Sequence, residues 1–96
     1  MNGQIKEIDE RKLSHRGNLS MGEDHARRGG SARIALERGT NTYKIGFAEQ
    51  WFSLMQTASR AILSDGEKKL IEDYLEAGEI NNALVAIAKI QGEEVN

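Results

Sequence analysis

Four arginines, Arg27, Arg28, Arg33 and Arg38, fall within the stretch DHARRGGSARIALERG. Guanidinium groups at this density could hold phosphate, since a polyanion backbone asks only for positive charge and reach. Tyr43 follows closely and could add a surface for base stacking. Against this stand Glu23, Asp24 and Glu37, which lie among the same arginines and can neutralise them. The overall pI near 5.7 is also well below that of a typical nucleic-acid-binding domain.

Other chemistry finds little support in the residue types. There are no cysteines, so disulfides, thiolate metal sites and cysteine nucleophiles are excluded. The two histidines, His15 and His25, stand ten apart with no partner at metal-ligand spacing. Ser14-His15 and Asp24-His25 are neighbours in sequence, but nothing there aims a nucleophile at a base. Glu72-Asp73 and Glu93-Glu94 read as solvated carboxylates, and Gly29-Gly30 lacks the Gly-Lys-Ser/Thr ending of a phosphate-binding loop. No catalytic residue, cofactor or metal is expected, and no small-molecule substrate is evident.

The elements that must position these residues are few. A chain of 96 residues is one domain at most, with a core small enough to gain from a partner or a second copy. Charge is uneven: residues 1–47 carry net +3 and residues 48–96 net −5. Such asymmetry suits contact with an anionic partner or between copies. No apolar run approaches the ~20 residues of a membrane span, and the first residues, MNGQIKEIDERKL, do not read as a signal peptide. A cytoplasmic protein without membrane contact is expected.

Residues 1–31 are poor in large apolar side chains and rich in glycine and charge, so a flexible basic and polar arm is expected there. Residues 32–47 carry two patterns. Ile34 and Leu36, then Tyr43, Ile45 and Phe47, alternate around Gly39-Thr40-Asn41, which predicts a short β-hairpin. The competing reading is a helix over 32–38, capped by Ser31 and stopped at Gly39. Three helices follow. Phe47, Trp51, Leu54/Met55, Ala58 and Ile62 recur at helical spacing and predict one over 48–63. Ser64 and Glu67 form a capping box for the next, which Gly78 ends. Ile80, Ala83/Leu84, Ile87 and Ile90 predict the last, with Gly92 as its stop and 93–96 as a frayed tail.

The expected fold is therefore mainly α: the arm over 1–31, the hairpin, and a compact three-helix module within a domain of residues 32–92. Trp51 and Phe52 point about 100° apart on their helix, and Val85 lies off the main stripe of the last one. These three are the candidate protein-interface residues, with the alternative that Trp51 and Phe52 are both core. Arg27, Arg28, Arg33 and Arg38 are the candidate contacts to an anion or nucleic acid. The functional reading is a small non-enzymatic regulatory or adaptor protein. It would bind another protein, or itself, through the helical module, with the charged arm ordering on contact. The alternative is a dimeric nucleic-acid-binding regulator using 27–38.

Overall fold

Gly29 ends a helix that the composition of the first third had not announced. The computed structural model describes residues 17–57 and 63–95, and within it 17–27 is helical (α1). Gly29 takes φ 75°, which glycine adopts without strain. The Gly30 N–H then reaches the His25 carbonyl at 2.7 Å and the Gly29 N–H the Ala26 carbonyl at 3.1 Å. That pair of bonds closes the helix end on its own orphaned carbonyls. The expected arm thus contains a helix. Its residues 1–16, His15 included, lie outside the described residues, as do positions 58–62 of the expected helix over 48–63 and the final residue, 96.

The second correction concerns residues 32–47. No strand occurs among the described residues. In place of the hairpin stand two helices, α2 (Ala32–Arg38), which is the competing reading of 32–38 with its Ser31 cap and Gly39 stop, and α3 (Asn41–Thr57). Ser31 caps α2, its side chain accepting from the Ile34 N–H at 3.2 Å. Thr40 does the same for α3, accepting from the Tyr43 N–H at 3.2 Å. Tyr43, Phe47 and Trp51, four apart, are all buried, so the period that burial obeys is helical. Alternation of apolar residues in a segment this short satisfies both periods. Packing on the rest of the molecule selects one of them.

The later helices follow the sequence closely. Helix α4 (Asp65–Glu76) begins with the full capping box between Ser64 and Glu67. Helix α5 (Ile80–Ile90) ends at Gly92, which like Gly78 has positive φ. The outcome is five described helices rather than an arm, a hairpin and three helices.

Helix α5 lies at the centre and packs against α2, α3 and α4. Ala83, Leu84, Ile87 and Ala88 on it are buried completely. Phe47 and Ile71 meet them from α3 and α4. Each such large side chain contributes about 1.5–3 kcal/mol when fully buried. Helix α2 is only seven residues long, too short to persist alone. It is held by Ala32 and Ala35, whose small side chains are buried in the core cluster.

Helix α1 packs on α3 at a crossing made of glycines. A Cβ added at Gly22 would meet the Tyr43 carbonyl oxygen and stand 2.8 Å from the Phe47 nitrogen. A Cβ at Gly46 would meet the Leu19 carbonyl oxygen in the same way. Backbones this close leave no room for a side chain on either helix. Beside the crossing, His25 sets its ring edge-on to Tyr43, with centroids 5.3 Å apart.

Among the described residues, no helix is long and apolar enough to cross a membrane.

Candidate functional site: a groove between α1 and α2

The described residues leave three large apolar side chains notably exposed: Met21 at 55%, Ile34 at 42% and Leu70 at 45%. Two of them, Met21 and Ile34, line one groove of about 330 Å³. Buried Tyr43 and exposed His25 and Arg38 also line it. No carboxylate is among the described residues that line it.

Local geometry explains the arrangement. Met21 and His25 stand at i and i+4 on one face of α1, and Arg28, at i+7, lies just past its end. Ile34 and Arg38 stand at i and i+4, one face of α2. The four-residue connection, 28–31, folds α2 back so that these faces share a groove. At the turn end, Arg28 keeps 76% of its side chain exposed, with Asp24 3.8 Å away.

The four candidate arginines do not form one strip. Arg27 binds Asp24 at 3.3 Å and donates to Gln50 Oε1 at 3.4 Å. Arg33 stands 3.8 Å from Glu37 and 3.8 Å from Glu93. Arg33 and Arg38 are five positions apart, hence about 140° apart around the helix. One therefore faces the C-terminal tail while the other faces the groove. Pairs this exposed contribute little to stability, about 0–1 kcal/mol each.

Of the two readings of Trp51 and Phe52, interface or core, burial fits the core. Trp51 is 5% exposed and Phe52 8%, and both belong to the core cluster. Their directions diverge by about 100°, yet both are covered, because α3 has neighbours on several sides: α2, α4 and α5, and α1 at the glycine crossing. They offer almost no surface to a partner. Val85 is half-buried on α5 and lies away from the groove. Pairing Met21 with Ile34 requires α1, which the sequence reading does not foresee, and a helix at 32–38, which it leaves open against a strand.

A second shallow groove, of about 200 Å³, separates α4 from α5 and is lined by Leu70, Ile71, Ala86 and Ile90. Glu67 and Lys89 flank it with opposite charges.

The tail after α5 closes the far side of the α1–α2 turn. Ser31 Oγ donates to the Glu93 carboxylate at 2.6 Å. Gln91 donates from Nε2 to the Gly30 carbonyl at 2.8 Å and accepts the Ala32 N–H at 2.9 Å. Glu93, expected in a frayed tail, is thereby tied to α2.

No cluster of three or more metal-ligating side chains occurs among the described residues. The groove brings the apolar side chains of Met21, Ile34 and Tyr43 together with the guanidinium of Arg38. Protein-family models, curated proteins and solved structures provide no match to this chain.

Proposed function

We propose that this chain is a small non-enzymatic binding protein, of the regulatory or adaptor kind, that engages another protein through its helical module. The observation that carries the reading is the meeting of Met21 and Ile34 in one groove. A domain this small has few large apolar side chains, and leaving two of them side by side in water forgoes core stability. Binding surfaces concentrate such side chains around a pocket, with a polar rim. The binding surface proposed is thus the α1–α2 groove, in place of Trp51, Phe52 and Val85.

The nucleic-acid alternative finds less support. Of the four arginines it relies on, Arg27, Arg28 and Arg33 have carboxylates beside them. Release of counterions from phosphate requires cations that are not already neutralised.

The test compares the full chain with the double variant Met21→Glu/Ile34→Glu as bait in its native host. Both positions are exposed, so circular dichroism should show unchanged helicity. A protein retained by the parent chain, lost by the variant and rebound in purified form supports the reading. Absence of any retained protein, together with a strict monomer by light scattering, rejects it.

A further inference from the structure

We infer that the occupant of the α1–α2 groove is a short acidic segment of another protein, carrying two large apolar side chains next to carboxylates. The inference rests on the protein-binding reading above and names the chemistry of the partner.

Charge complementarity decides the occupant. The groove's apolar surface is bordered by Arg38 at one end of the α2 face. No carboxylate is among the described lining residues. The acids nearest in sequence, Asp24 and Glu37, stand beside Arg27, Arg28 and Arg33, and neither lines the groove. An apolar trough with a guanidinium at its rim and no competing acid favours an entrant that is apolar in the middle and anionic at the ends. A guanidinium also pairs with a carboxylate in two-pronged fashion, so a peptide acid is a better match than an isolated neutral group.

A second copy of the chain fits less well. The acidic surface that would have to enter is α4, whose exposed Glu72, Asp73 and Glu76 stand on a helix with one strongly exposed apolar residue, Leu70. Such a contact would also join two different patches, which generates an open chain of copies unless the rotation closes.

The experiment uses the full chain, isotope-labelled, and three synthetic peptides of equal length. The first carries two leucines four residues apart among glutamates. The second replaces the glutamates by lysines, and the third replaces the leucines by alanines. A short DNA duplex is the fourth probe. The expected result is saturable binding of the first peptide, with amide shifts centred on Met21, Ile34 and Tyr43. Binding should be at least about tenfold weaker for the second and third peptides. Arg38→Glu should reverse the preference between the glutamate and lysine peptides, an effect that mere loss of stability cannot produce. Several results would overturn the inference. One is equal binding of the acidic and basic peptides; another is an unchanged preference in Arg38→Glu. A third is duplex DNA displacing the peptide from the groove, which would move the reading to nucleic acid. A dimer that Met21→Glu dissociates would make the occupant a second copy. Failure of the peptides while a native partner still depends on Met21 and Ile34 would reject the acidic segment and leave the protein-binding reading standing.

Discussion

Gln91 holds Gly30 across 61 positions of sequence, its Nε2 donating to the Gly30 carbonyl at 2.8 Å. The same side-chain amide accepts the Ala32 N–H at 2.9 Å. One residue just past the last helix thus satisfies two backbone groups around the start of α2, where free N–H groups otherwise go unpaired. Both walls of the groove depend on this turn for their spacing.

Gln91→Ala should therefore destabilise the protein by about 1–3 kcal/mol, the cost of leaving partly buried polar groups without partners. For a domain of this size each kcal/mol lowers the melting temperature by roughly 4–8 °C. Gln91→Glu should be no better, because a carboxylate can accept from Ala32 but has no N–H for the Gly30 carbonyl. Thermal unfolding followed by circular dichroism measures both. A melting temperature equal to that of the parent chain would show that the clasp contributes nothing.

The glycine crossing predicts a reversal of the usual helix rule. Replacing a glycine inside an exposed helix by alanine normally stabilises by roughly 0.5–1 kcal/mol. Gly22→Ala and Gly46→Ala should instead destabilise, because their new methyl groups meet the Tyr43 and Leu19 carbonyls. The cost expected is of the overpacking kind, about 1–3 kcal/mol or more. Gly66→Ala is the control: it lies in the first turn of α4, where an added Cβ finds only the Ser64 Oγ, at 4.0 Å. Urea titration of the three variants should rank Gly66→Ala as the most stable.

Ser64→Ala should cost about 1 kcal/mol through loss of the cap on α4. The bond lost is Glu67 N–H to Ser64 Oγ at 3.1 Å, while the reciprocal bond from the residue 64 backbone N–H to Glu67 Oε1, at 2.9 Å, needs no hydroxyl. Ser64→Asp retains an acceptor and should recover most of the loss. Amide hydrogen exchange in the first turn of α4 reads the effect locally, and equal protection in the alanine and aspartate variants would contradict it.

Core substitutions should separate Trp51 from the groove. Ile87→Val removes one methylene from a completely buried site and should cost about 0.5–1.5 kcal/mol. Trp51→Ala should cost about 3–5 kcal/mol, since Trp51 fills the core in the lone chain. Ile34→Ser, at an exposed position, should stay within about 0.5 kcal/mol of the parent. If Trp51→Ala left stability unchanged while Ile34→Ser unfolded the chain, the assignment of core and groove would be reversed.

Much of the second half of the protein is written locally. Ser64 with Glu67 starts α4, Gly78 and Gly92 stop α4 and α5, and the spacing of Ile80, Leu84 and Ile87 sets the buried face of α5. These signals act within one or two turns, so residue type and order suffice to read them. The off-stripe apolar residues of α5 also had a local meaning: a helix apolar on more than one side is one with neighbours on more than one side. The first half was settled by tertiary contact. Ile34, Leu36, Tyr43, Ile45 and Phe47 fit a strand as well as a helix, and only burial of Ala32, Ala35 and Phe47 in the shared core chooses between them. The same contact makes Gly22 and Gly46 a crossing rather than two flexible points, and leaves Met21 and Ile34 outside. Those outcomes depend on residues far apart in sequence approaching within a few ångströms. Such approaches are a property of the packed chain, whereas a cap or a stop is a property of its neighbours.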